Sequence, residues 1–189
     1  MPNKLSGPVT SVAAGTGFKM VLMQGFGSPV PVASSVAASI FAVTTSATTV
    51  FAITPQFISM TGLPFTPSFS STNITAGQTV GVVASSITGT TAVAANVYLI
   101  PQTVGGTVTA KSISGNYTVY TITLASGSAF ASLSGATTIT VYTSTATAVP
   151  SATNAIAAGS TVRFNGLVFK TGTTFSMVAG CSPDGDPRI

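Results

Sequence analysis

One stretch, Ile74 to Asn96, occurs twice, and a chain that repeats itself in fixed order folds as copies of one unit. Ile74, Gly77, Thr79 and Val80 return as Ile156, Gly159, Thr161 and Val162. Thr88-Gly89-Thr90-Thr91 returns as Thr171-Gly172-Thr173-Thr174. Each copy reads as a turn at Ala-Gly, a strand, a turn at Thr-Gly and a second strand. Two further blocks keep the same order. Gly7, Val9, Thr10 and Phe18 align with Gly106, Val108, Thr109 and Tyr117, and the run Thr49 to Thr54 aligns with Thr138 to Thr143.

The repeated blocks are short, β-branched and bounded by glycine, which predicts strands. Phe18, Met20 and Leu22 alternate with Lys19, Val21 and Met23, so one side of that strand faces a core. Pro101 to Gly105 reads as a short linker. The expected architecture is all-β: two tandem small OB-like β-barrel or sandwich domains, residues 1–102 with loop insertions and 103–189 with a C-terminal tail. Closure suits such a chain, because open sheet edges without charges invite aggregation. Ala33 to Val43 is ambiguous between a strand and a helical turn. Its uncharged extension to Ile53 is too rich in Ser and Thr, and too poor in Leu, for a membrane span.

Charge is nearly absent. Only 4% of residues are charged, no charge lies between Lys19 and Lys111, and the acidic side chains are Asp184 and Asp186 alone. The net charge of +4 reflects missing acids. Lys4, Lys19, Lys111, Arg163, Lys170 and Arg188 are scattered, so no nucleic-acid partner is expected. A lone particle with this surface would have little ionic repulsion to keep it soluble. Two covers are available: copies of the chain itself, and a coat of hydroxyls and glycans. Asn73-Ile74-Thr75 and Asn116-Tyr117-Thr118 are candidate N-glycosylation sites at Asn73 and Asn116.

Catalytic chemistry finds no foothold. There is no His, so a Ser-His-Asp arrangement cannot form, and no Ser is singled out. No cofactor or metal is expected: Cys181 is alone, and Asp184-Gly185-Asp186 lacks the remaining ligands of a calcium loop. With one cysteine, no disulfide within the chain can form.

The Gly-x-Val-Thr start, the central β-branched strand and the Ile-x-Ala-Gly-x-Thr-Val turn together resemble a family. It is the tandem small β-barrel domains of OB-like type in bacterial secreted proteins and lipoproteins, whose own function is uncharacterised. Here the pattern rests on Gly7, Val9, Gly77, Val80 and Gly89, and again on Gly106, Val108, Gly159, Val162 and Gly172. The resemblance implies a fold and an extracytoplasmic setting, without an activity. Family members are richer in Asp and Lys, and this chain's departure from them points to assembly.

The expected function is therefore a non-enzymatic structural subunit of an extracellular homopolymer, a filament or pilus-like fibre. Its expected bonds are strand addition by a terminal segment, Met1 to Val12 or Gly180 to Ile189, and apolar contacts. Val9, Phe57, Met60, Phe65, Phe69 and Ile189 are the candidate contacts. The loop Pro55 to Thr72 looks too apolar for open surface, so its rings either cap a barrel end or dock into a neighbour. One alternative is a surface binding module for carbohydrate or protein, with Phe57, Phe65, Phe69, Tyr98, Tyr117 and Tyr142 as stacking faces. A viral or phage coat or decoration protein is another.

Acid unfolding comes mostly from native carboxylates taking up protons and from buried neutral His becoming charged. With two aspartates and no His, the folded state should hold from about pH 8 down to about pH 2. Circular dichroism across that range should show no cooperative transition.

Overall fold

The computed structural model describes residues 3–26, 39–54, 58–144 and 156–180. They form two compact units. The first comprises Met1–Thr54 and Phe69–Ile100, the second Pro55–Ser68 and Pro101–Ile189. The segment Pro55–Ser68, assigned by sequence to the first domain, thus belongs with the second.

In the second unit the strands are β8 (Gln102–Ser114), β9 (Tyr117–Leu124), β10 (Thr138–Ser144), β11 (Thr161–Thr171) and β12 (Thr174–Ala179). They close in the order β10-β12-β11-β8-β9. Only β10 and β12 run parallel, and the other four pairings are antiparallel. Numbered within the barrel, strand one pairs with two and four, two with three, three with five in parallel, and five with four. That is the OB topology.

The first unit repeats it with β1 (Asn3–Ala13), β2 (Gly17–Val21), β4 (Ile40–Thr44), β6 (Thr79–Thr88) and β7 (Thr91–Leu99). The β1–β2 pairing closes this ring. Two short strands are added. β3 (Gln24–Phe26) continues β2 along β1, and β5 (Val50–Ile53) continues β4 along β7.

The strand registers correct two of the sequence alignments. Phe18 pairs with Val43 and Met20 with Phe41. Tyr120 pairs with Val141 and Ile122 with Ile139. The counterpart of Phe18 is therefore Tyr120, and Tyr117 lies outside that match. The counterpart of β10 is β4. The run Thr49 to Thr54, aligned with β10 by sequence, forms the extra strand β5 instead. Similar β-branched composition misled the alignment, because composition carries no register. The linker also shrinks: β8 already begins at Gln102. A short helix, α1 (Ala129–Ser134), was not anticipated. Ser128 caps its start, and Gly135 ends it in the left-handed region, as such residues favour.

The repeated Ala-Gly turn does the same work in both units. In the first, the Gly77 amide donates to the Val9 carbonyl and the Val9 amide to the Gln78 carbonyl, both at 2.8 Å. In the second, the Gly159 amide donates to the Val108 carbonyl at 2.8 Å and the Val108 amide to the Ser160 carbonyl at 2.9 Å. Gly77 and Gly159 share φ 91°, a conformation glycine adopts without steric cost. The first strand thereby leaves one neighbour for the other. β1 pairs with β6 up to Pro8 and with β2 from Val9.

Val9 is wholly buried at that bend, so it cannot serve as the subunit contact expected of it. β1 is paired along its length, so Asn3–Val12 is not a spare strand for donation. Val108 holds the same place in the second core, with Tyr120, Ile122, Ile139, Val141, Val168 and Met177.

Gly7 and Gly106 stand just before the bend. A Cβ on Gly106 would collide with the Thr123 carbonyl of β9, and one on Gly7 with the Val21 carbonyl. Gly106→Ala should cost about 2–3 kcal/mol through this overpacking. Gly81→Ala, whose added Cβ would sit 3.6 Å from its nearest neighbour, should change stability by less than about 0.5 kcal/mol. Chemical denaturation midpoints of the two variants check this.

Candidate functional site

The clearest constructed surface lies on the outside of the second barrel. Alternation sends Tyr120, Ile122, Ile139, Val141 and Met177 into the core, so Val119, Tyr142 and Val178 point outward. They stand in register on three adjacent strands, Val119 opposite Tyr142 and Tyr142 opposite Val178. Leu167 extends the row opposite Val178. Tyr117 and Phe169 flank it. A bare barrel would expose this row to water, yet Tyr117, Phe169, Leu167 and Val178 are all buried.

The cover is the segment at residues 58–65. The Tyr117 hydroxyl lies 3.1 Å from the Ser59 carbonyl and 2.9 Å from the Thr61 carbonyl, one donor shared by two acceptors. The Phe65 ring is 5.4 Å from Tyr142 and 6.0 Å from Phe169. Tyr117 meets Tyr142 edge-on at 6.2 Å. Gly180 leaves the room Ile58 occupies, since a Cβ there would come within 2.5 Å of Ile58 Cγ1. Burial raises the phenol pKa of Tyr142, so the ring stays neutral at physiological pH.

The segment is therefore no open docking patch. Phe65 is half-buried within its own chain. Phe69 is buried in the first unit, edge-on to Phe51 at 5.6 Å. Burial removes Phe69 from the expected contacts to a neighbour, while Phe65 is engaged with Tyr142 and Phe169 of its own chain. Met60 is half-buried. Phe57, Cys181 and Ile189 lie outside the described residues. Asn116 occupies the exposed two-residue turn between β8 and β9. Asn73 is half-buried, its Oδ1 accepting from the Ser70 amide at 2.6 Å.

Barrels of this topology bind oligonucleotides and oligosaccharides on the outer face of strands two and three. In the second unit those strands are β9 and β10, and the chain fills their face itself. Tyr117 and Tyr142, expected as stacking faces, are engaged there, Tyr142 with Phe65 and the two tyrosines with each other. In the first unit the same face belongs to β2 and β4. Phe18, Met20, Phe41 and Val43 point inward, leaving Lys19, Val21, Ile40, Ala42 and Thr44 outward. That set holds one cation and no ring, whereas single-stranded nucleic acid needs a basic groove and aromatic platforms.

No protein-family model and no curated protein sequence matches the chain. Among the described residues no helix is long and apolar enough to cross a membrane.

The covering segment was half legible. Its apolar content was evident, but its destination depends on Tyr117, Tyr142 and Phe169 sharing an outer face, which requires the register. Tyr117→Phe keeps the ring and removes the shared donor. It should cost about 1 kcal/mol and speed proteolytic cleavage within residues 58–65, read by timed digestion and mass spectrometry.

Proposed function

We propose that the chain is a structural subunit of an extracellular assembly of its own copies. The observation that carries this reading is an apolar group on the outer strands of the first barrel. Val21 and Ile40 face each other across β2 and β4. Ile40 is 56% exposed and Met23, just beyond β2, is 72% exposed. Lys19 is the one charge on those strands. Apolar groups left in water beside so little charge favour association.

The chemistry of the chain supports the same reading. No His is present anywhere, and no polar cluster fit for acid-base work converges among the described residues. The aromatic face that would suit a carbohydrate is filled from within, which favours a structural role over a binding module. Apolar contact is the natural bond between copies, because neither surface offers many ion pairs. Asn116, in its exposed turn, is the better placed of the two sequons to carry a glycan on the remaining surface.

Purified protein should associate with rising concentration in multi-angle light scattering and form particles in negative-stain images. Ile40→Lys should weaken that association at least tenfold while leaving the circular dichroism spectrum unchanged. A unit-mass particle at high concentration would overturn the reading.

A further inference from the structure

Two of the first barrel's described strands, β3 and β5, are paired on a single side, and β5 is the more apolar of them. β5 runs parallel to β7, from Val50 opposite Asn96 to Ile53 opposite Leu99, and has no second partner among the described strands. The Thr54 amide donates to the Leu99 carbonyl at 3.2 Å. Along a strand, successive residues turn their amide and carbonyl to opposite sides. Val50 and Ala52 therefore address β7, as Thr54 does. Phe51 and Ile53 direct theirs to the open side.

Natural sheets guard such an edge with a charge, a proline or a bulge. Thr48 to Thr54 contains no charge and no proline. Val50, Phe51 and Ile53 are strong strand formers, and Val50 is 53% exposed. Unpaired on that side among the described strands, extended, and without a charge or proline of its own, this edge is suited to receive another strand.

We propose that β5 is a strand-addition site and that its partner is β5 of a second copy, antiparallel about a twofold axis midway between the two Ala52 residues. The proposal rests on the assembly reading above and names one of its contacts. In that register Phe51 exchanges two hydrogen bonds with Ile53 of the partner subunit, and Ile53 does the same with Phe51 of the partner subunit. The outward amides are then the ones used. Ala52, whose amide is committed to β7, falls in the non-hydrogen-bonded position where facing side chains approach most closely. Alanine is small enough to allow it.

The electrostatics also suit a second copy. Like charges directly opposite each other destabilise a strand pair, and here both strands are neutral. Such an isologous contact closes at two copies. The apolar group at Ile40 is a different surface, so the chain has two distinct self-contacts, as an extended assembly requires.

Charge exchange at Ala52 tests the arrangement in the full chain. Ala52→Lys and Ala52→Glu should each weaken self-association at least tenfold in sedimentation velocity. Mixing the two should restore it, because Lys then faces Glu. Ile53→Pro, which removes only an outward amide and leaves the bonds to β7 in place, should give the same loss and serves as the decisive variant if Ala52 substitutions disturb folding. Folded Ala52 variants that associate like the wild type, or that fail to recover on mixing, would overturn the proposal, as would undiminished association of Ile53→Pro. If the wild type itself does not associate, the assembly reading fails. If it associates regardless of Ala52 and Ile53, the edge alone fails.

Discussion

The whole architecture depends on one strand serving two neighbours. A five-stranded ring with the OB connection closes only if its first strand pairs with the fourth along one half and the second along the other. The chain achieves this with the same device twice. The Ala-Gly turn before the fourth strand bonds both backbone groups of Val9 in one barrel, and of Val108 in the other. Gly7 and Gly106 remove the side chain that would strike the next strand at the bend. The valine itself is driven into the core. Four positions, Gly-x-Val at the strand and Ala-Gly at the turn, are thereby tied to one geometry. These are among the positions at which the two halves of the sequence agree.

Away from that bend the barrels diverge, and the divergence falls on their outer faces. Val43 faces Phe18 as Val141 faces Tyr120, so Thr44 stands where Tyr142 does. A small hydroxyl residue on one barrel is thus replaced by a large ring on the other. The ring belongs to the row that residues 58–65 cover. Core positions tolerate only apolar residues of fitting volume, whereas an outer position answers to whatever lies above it. The second barrel has a cover, and its outer face has become a second core. The first barrel keeps the smaller, more polar face, with its apolar side chains gathered at Val21, Ile40 and Met23.

This explains what could be read from the sequence and what could not. Periodicity identified the inward rows Phe18-Met20-Leu22 and the repeated hairpins, because burial on one face imprints a period of two. The turns were legible because Gly77, Gly89, Gly159 and Gly172 all have positive φ, which few residues other than glycine tolerate. Register was not legible. The alignment of Thr49–Thr54 with β10 failed because six consecutive strand-forming residues look alike wherever they pair. The fate of Phe65 was hidden for the same reason: its partners are distant in sequence and meet only once four strands are set side by side. Val9 was misassigned because a valine near a terminus can as easily lie at an edge as at the pivot of a barrel.

A neutral surface has few ways to become tolerable, and the chain uses a different one at each place. Where rings cluster, a segment of the same chain covers them. Where backbone groups would be unpaired, closure of the ring satisfies them. The edge of β5 and the apolar group at Ile40 remain, beside scattered exposed side chains such as Ile113. Charge does little to shield either of the first two: no ionic residue lies between Lys19 and Lys111 in the sequence, and Lys19 is the one charge on β2 and β4. Salt would have little to screen in contacts of this kind, so their strength comes from dehydrated side chains and backbone hydrogen bonds. Both are short-ranged and demand close fit. Association built on them is governed by shape and register, the same constraints that fold each barrel, and a chain that has discarded its charges has left itself few other means of recognition.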